Sequence, residues 1–207
     1  MAKKLTFKTS GLNKKAWQKI EKLDSPEKIQ DFLNNLPFNH RNREEPPAIS
    51  LSERSVHCLE GALVAAAALW VHGEKPYLLD LRAEDKDMDH VVALFRRSGK
   101  WGAISKTNHA VLRYREPVYK NPRELAMSFF HEYFLSNGKK TLRSFSRPFD
   151  LSRLGTKWLT SREAVVDLAY KLDRSSHENI LKKKEIRKLR RADKIEIEAG
   201  KIIEWKK

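Results

Sequence analysis

Apolar residues recur at helical spacing near the start of the chain. Their intervals of three to four residues predict a short amphipathic helix. The side chains in this row are Leu12, Ala16, Ile20 and Leu23. A second helix is predicted from Ser25-Pro26, because serine caps helix N-termini and proline fits the first helical position. Residues 39–47 are polar and end in two prolines, so we expect a loop there.

The most apolar segment, residues 61–71, predicts a buried helix from Val56 to about His72, capped by Ser55 and ended by Gly73. Runs rich in apolar residues then predict three strands, with Ser98-Gly99-Lys100 as a hairpin turn. These strands are Tyr77–Arg82, His90–Phe95 and Trp101–Ser105. A buried helix followed by an antiparallel meander is typical of an α+β fold.

The C-terminal part of the chain has weaker patterns. A helix is predicted from Asn121-Pro122 to before Gly138, with aromatic side chains that we assign to the core. Residues 139–157 are basic and predicted to be irregular, and Ser161 is expected to cap another helix. The alternation of residues 195–202 predicts a small hairpin.

The composition indicates a globular protein in a reducing compartment. The chain has 207 residues, 40% of them hydrophobic and 33% charged. No apolar run reaches the roughly 20 residues of a membrane helix, and no signal peptide is recognised, so we expect a cytoplasmic protein without a membrane partner. One cysteine allows no internal disulfide and no multi-cysteine metal site. The acidic residues 84–89 lack the glycine and terminal glutamate of an EF-hand loop, and we expect no cofactor and no metal.

The net charge of +15 lies on the flanks of the chain. Residues 51–135 hold 12 basic and 11 acidic side chains, whereas residues 182–207 hold 11 basic and 5 acidic ones. We therefore divide the chain into an N-terminal helical segment (1–50), a core (51–135) and a basic C-terminal extension (136–207). The basic ends either bind nucleic acid through its phosphates or form a solvated surface.

Cys58 is the one residue of the sequence that points to a reaction. It stands where the buried helix begins, and the positive end of a helix dipole lowers the pKa of a thiol. His90, at the start of a strand, is placed to accept the thiol proton. The alternative is an inert cysteine of the core. We expect His57 to point away from Cys58 as a surface or packing residue.

The order of these motifs resembles that of the transglutaminase-like superfamily, which has a papain-like core. The similarity covers residues 51–115 and rests on a cysteine at the head of an alanine-rich helix, a histidine that starts a strand, and a Gly-x-Trp turn. The three motifs read His57-Cys58-Leu59-Glu60-Gly61, Asp89-His90-Val91-Val92 and Gly99-Lys100-Trp101. The resemblance implies a papain-like α+β core, in which the cysteine helix packs on an antiparallel sheet, with extra helices at both ends.

The resemblance also implies roles for four residues. Cys58 would be the nucleophile that forms a thioester, and His90 the general base and then the acid. The family's aspartate is replaced by Ser105, which accepts a hydrogen bond but carries no charge. Asn108 is the alternative partner, because an amide orients the histidine of papain-like proteases.

Two classes of function follow, and a plain structural domain is the third interpretation. The first is a thiol amidohydrolase, protease or acyltransferase that acts on a peptide or protein. The second is a catalytically degenerate module that binds nucleic acid or a partner protein through its basic flanks.

Overall fold

The computed structural model describes residues 4–41 and 43–206. Within these ranges the chain forms nine α-helices and one seven-stranded antiparallel sheet, which is an α+β fold. No helix in the described part of the chain is long and apolar enough to cross a lipid bilayer.

Four helices precede the cysteine. They are α1 (Phe7–Ser10), α2 (Lys14–Glu21), α3 (Pro26–Asn34) and α4 (Pro47–Glu53). The two helices predicted in this region correspond to α2 and α3, and the cap at Ser25 is confirmed, since its side chain accepts from the Lys28 amide. Helix α4 was not predicted, because two prolines at its start resemble a loop, although proline at the first helical position favours a helix.

Helix α5 (Cys58–Val71) lies at the centre of the fold. It is apolar on nearly every side and is buried from Leu59 to Trp70, as its alanine-rich sequence predicts. Its N-cap is His57, so the prediction of Ser55 as the cap is wrong. The Glu60 carboxylate accepts the His57 backbone N–H at 2.9 Å, and this interaction sets the start of the helix.

The sheet contains the three predicted strands and four further strands. Its members are β1 (Tyr77–Ala83), β2 (His90–Arg97), β3 (Lys100–Ile104), β4 (Arg115–Tyr119), β5 (Leu142–Ser146), β6 (Phe149–Asp150) and β7 (His177–Asn179). The strand order is β4-β3-β2-β1-β5-β7, and β6 also pairs with β1. Ser98 and Gly99 form the predicted hairpin turn between β2 and β3, both with positive φ.

Strand β5 corrects the prediction that residues 139–157 are irregular. It pairs with β1 in the middle of the sheet, where Leu81 lies opposite Phe145. Its two apolar side chains, Leu142 and Phe145, are three residues apart, so the sequence shows no strand-like alternation here. Residues 136–181 therefore supply three strands to the same sheet as the cysteine-to-histidine region.

Four helices follow β4. They are α6 (Pro122–Met127), α7 (Arg162–Asp173), α8 (Lys183–Ile186) and α9 (Lys194–Gly200). The helix predicted from Asn121 is confirmed only in its first part, because α6 ends at Met127 and a 3₁₀ turn follows at Phe130–Glu132. The predicted hairpin at residues 195–202 is wrong, because α9 occupies most of it.

The sheet separates two apolar layers. Leu78, Val91 and Ala93 face α5 and the N-terminal helices. Leu79, Val92 and Leu94 lie in the other layer, with α6 and the aromatic residues that follow it. Phe129, Phe130 and Tyr133 are buried in this second layer, so their assignment to the core is confirmed.

Candidate active site

Cys58 is the first residue of α5 and is partly exposed to solvent. The first N–H groups of a helix have no intrahelical acceptor and produce a positive potential at this end. A thiolate is therefore favoured there. Helix α5 is held in place by its apolar surroundings, which fixes the position of the sulfur.

His90 is the first residue of β2, and its ring is buried. Its Nε2 atom lies 2.8 Å from the Ser105 Oγ atom, directly after β3. The Ser105 hydroxyl donates its own proton to the Leu112 carbonyl at 2.5 Å, so it accepts from His90 Nε2–H. This fixes the proton on Nε2 and leaves Nδ1 as the ring nitrogen that can accept a proton.

Gln30, on α3, holds the backbone of Ser105. Its side chain accepts from the Ser105 N–H at 2.9 Å and donates to the Ser105 carbonyl at 2.8 Å. Gln30 is itself buried. Sequence reasoning missed this residue, because it lies 75 positions from Ser105 and has no motif of its own.

The electrostatics of the site favour the thiolate. Burial opposes ionisation of Cys58, but its interactions with the rings of His57 and His90 outweigh burial and lower the pKa of the thiol to about 5. Cys58 thus interacts with His90, and His90 is bound to Ser105, in the order that the resemblance implies.

His57 also belongs to this site, so the prediction that it points away from Cys58 is wrong. As the N-cap it has extended backbone angles, and the helical direction assumed for its side chain does not apply. Its Nε2 atom lies 2.9 Å from Glu44 Oε2 and 3.6 Å from Glu60 Oε1. Burial opposes the charge of His57, but Cys58 and the carboxylates outweigh it and raise the pKa of His57 to about 10.

Glu60 ties the preceding loop to the start of α5. Besides the His57 N–H, its carboxylate accepts from the Asn39 side chain at 2.9 Å and from the Glu45 N–H at 3.1 Å. Glu60 is fully buried, and burial raises the pKa of its carboxyl group. Neither Glu44 nor Glu60 was selected from the sequence.

Asn108 has a different place from the one expected of a partner of His90. Its amide donates to the Trp205 carbonyl at 2.8 Å and accepts from the Trp205 N–H at 2.7 Å. It therefore fastens the C-terminal segment to the loop after β3. Ser105, and not Asn108, is the hydrogen-bond partner of His90.

Lys106, which follows Ser105 in the chain, supports the site through contacts with α3 and α5. It is buried and donates to the carbonyl of Leu33, in the last turn of α3, at 2.8 Å and to that of Leu36, just beyond the helix, at 2.5 Å. Burial lowers the pKa of Lys106 to about 8. Gly61 permits this approach, because a Cβ atom there would lie 2.6 Å from Lys106 Cβ.

Among the described residues, no group of three or more histidine, cysteine, aspartate or glutamate side chains could hold a metal ion. Comparison of the chain with protein-family models and with curated proteins gave no match.

Proposed function

We propose that this chain is a transglutaminase-like cysteine enzyme with a papain-like core, a thiol amidohydrolase or acyltransferase that acts on peptides or proteins. The observation that carries the proposal is the interaction between Cys58, at the start of a helix, and His90, at the start of a strand. The Nε2 atom of His90 is hydrogen-bonded to Ser105. These are the parts that an activated thiol nucleophile needs.

The reaction follows from the positions of the protons. Cys58 gives its proton to His90 Nδ1, and the thiolate attacks the carbonyl carbon of an amide. Collapse of the tetrahedral intermediate breaks the C–N bond, and His90 delivers the proton to the leaving amine. Water or a second amine then attacks the thioester, gives a proton to His90, and the thiolate leaves.

Backbone N–H groups at the start of α5 support the intermediate. The first-turn amides point out of the helix, and a developing oxyanion near Cys58 would accept from them. A helix N-terminus thus serves both the thiolate and the oxyanion.

Acylation of Cys58 tests the proposal. The protein is incubated with p-nitrophenyl acetate and with a glutamine-containing peptide library, and the adduct on Cys58 is identified by mass spectrometry. We expect an acyl thioester in the wild type, none in Cys58→Ser, and a strongly slowed reaction in His90→Ala. His131→Ala, at an exposed ring on a separate segment, is the matched control. Equal ester hydrolysis by wild type and Cys58→Ser would refute the proposal.

The second candidate function, nucleic-acid binding, is favoured by a fixed basic strip at residues 182–191. Its lysine and arginine side chains are exposed, whereas Ile186 and Leu189 are half-buried and attach the strip to the body. The Ala192 N–H donates to the Gly138 carbonyl at 2.8 Å and anchors its far end. Lys182 and Lys183 also line a cavity of about 660 Å³ with Arg123 and Arg143.

Salt dependence tests this second candidate. Binding of a labelled single-stranded RNA should weaken steeply with salt, because each neutralised phosphate releases counterions. Replacing Lys182, Lys183 and Lys184 by glutamine should lower the slope of log K against log salt by about 2, at roughly 0.7 per contact. The same change at Lys86, Lys100 and Lys120, which are exposed and lie outside both basic flanks, is the control. A slope near zero in the wild type would exclude this function.

A further inference from the structure

The two histidines that interact with the Cys58 thiol have different hydrogen-bond and ion-pair partners. At His90, the hydroxyl of Ser105 presents a lone pair to the ring and gives its proton to Leu112. No carboxylate therefore backs the His90 ring through this contact. A serine in this position fixes the tautomer but stabilises an imidazolium less than an aspartate would.

His57, by contrast, lies beside two carboxylates. Glu44 lies 2.9 Å and Glu60 lies 3.6 Å from its Nε2 atom, and Glu60 is fully buried. Opposite charges at such distances favour the protonated ring. The hydrogen bond from the His57 backbone to Glu60 holds the ring beside the first residue of α5.

We propose that His57 is a second histidine of the active site, held as an imidazolium by Glu44 and Glu60, and that its charge stabilises the Cys58 thiolate in place of the carboxylate missing beside His90. This inference rests on the proposed function of Cys58. His57 acts directly on the thiol of its chain neighbour Cys58, whose pKa it lowers, whereas Glu44 is a positioning residue that acts through His57. Proton transfer to the leaving group stays with His90.

The charges of the groups near the thiol are consistent with these separate roles of His57 and His90. The pKa of His57 is raised to about 10, so its ring carries a charge at neutral pH. Burial raises the pKa of the Tyr133 phenol, which is therefore neutral and adds no charge to the site. The histidine rings that interact with the thiol are those of His57 and His90, and in the described part of the chain His57 is the one of these two with carboxylates at ion-pair distance.

The test measures the protonation of the Cys58 thiol and of the His57 ring as a function of pH. The ultraviolet absorbance of the thiolate is titrated in wild type, His57→Gln and Glu44→Gln, and the His57 ring is titrated by NMR. We expect His57→Gln to raise the thiolate midpoint by more than one pH unit, which is over tenfold in the ionisation constant. In Glu44→Gln, the His57 ring should lose its proton at a lower pH than in the wild type. Glu178→Gln, at an exposed ion pair with Arg123, is the matched control and should change neither titration.

Two results would overturn the inference. One is a wild-type His57 ring that titrates near 6.5, the ordinary value for histidine. This measurement needs no variant, so it stands even where His57→Gln does not fold. The other is a low thiolate midpoint that His57→Gln leaves unchanged, which would leave the proposed function intact. A wild-type midpoint near that of a free thiol would instead overturn the proposed function itself.

Discussion

At the scale of single residues, Ser105 determines the tautomer and the orientation of the His90 ring. Its hydroxyl accepts from His90 Nε2–H and donates to Leu112, so the ring is fixed in one tautomer. Gln30 holds the Ser105 backbone on both sides. The orientation of His90 therefore depends on residues from α3 and from the loop after β3.

Replacing Ser105 by alanine should slow acylation of Cys58. The buried His90 ring would lose a hydrogen bond, at a cost of about 1–3 kcal/mol, which corresponds to roughly 5- to 150-fold in rate. Stopped-flow measurement of ester cleavage checks this. Ser105→Thr keeps the hydroxyl and should retain most of the rate, and an alanine variant as fast as the wild type would show that Ser105 does not position His90.

Sequence reasoning identified the residues of the site that carry a motif and missed those that do not. Cys58, His90 and Ser105 were selected from their order along the chain, and they do meet. His57 was misjudged because a helical direction was assumed for a residue that is the N-cap. Gln30 and Glu44 reach the site through tertiary packing, which no spacing in the sequence reveals.

At the scale of secondary-structure elements, helix α5 and the end of α3 hold the residues of the site in position. Lys106 connects them, because its Cβ atom packs against α5 at Gly61 and its ammonium group binds one carbonyl in the last turn of α3 and one just beyond it. A side chain at position 61 would push α5 away from Ser105.

Gly61→Ala should destabilise the protein by about 1–3 kcal/mol, as overpacking of a core commonly does. The added Cβ would lie 2.6 Å from Lys106 Cβ. Lys106 cannot move far unless its chain neighbour Ser105 moves with it. Chemical denaturation measures the change. Gly200→Ala in α9 is the control, where the nearest atoms belong to the Phe134 ring at 3.2 Å and the effect should be smaller.

Lys106→Met should leave the carbonyls of Leu33 and Leu36 without their donor and cost about 1–3 kcal/mol. The difference from the wild type should also depend on pH. The pKa of Lys106 is lowered to about 8 in the folded state, so between pH 8 and about 10.5 the unfolded chain binds more protons. The stabilisation linked to this shift is present above pH 10.5 and is lost as the pH falls through 8.

Urea unfolding of both proteins across this window measures the pH dependence. Wild type should gain stability relative to Lys106→Met as the pH rises. A constant difference would contradict a shifted Lys106. Lys100→Met, at the exposed hairpin, is the control.

Helices and strands were predicted correctly where a regular apolar pattern extends over many residues. The buried helix and the three meander strands are present, whereas β5 has only two apolar side chains, three residues apart, and shows no alternating pattern. Helix α9 was mistaken for a hairpin because Ile195 and Ile197 alternate with charged residues. Both isoleucines lie in a helix with no buried residue, so burial does not set their spacing.

At the scale of the whole molecule, the C-terminal segment closes on the loop after β3. Asn108 binds both backbone groups of Trp205, and the Ala110 N–H donates to Ile202. Strand order and this closure depend on contacts between distant parts of the chain. No local pattern of residues therefore predicts them.

Asn108→Ala should release the segment from residue 201 to residue 206. Two hydrogen bonds to a buried amide would be lost, and hydrogen exchange of these residues should accelerate by about tenfold or more. Hydrogen-exchange mass spectrometry provides the measurement. The alkylation rate of Cys58 should change little, and a loss of reactivity as large as in His90→Ala would mean that Asn108 acts on the histidine after all.

The alkylation of Cys58 by iodoacetamide as a function of pH tests the central claim, that this thiol is ionised by its place beside His90. We predict a rate that rises with a midpoint of about 5 in the wild type and a higher midpoint in His90→Ala. A wild-type midpoint near 8.5, the ordinary value for a thiol, or a profile that His90→Ala leaves unchanged, would contradict the account.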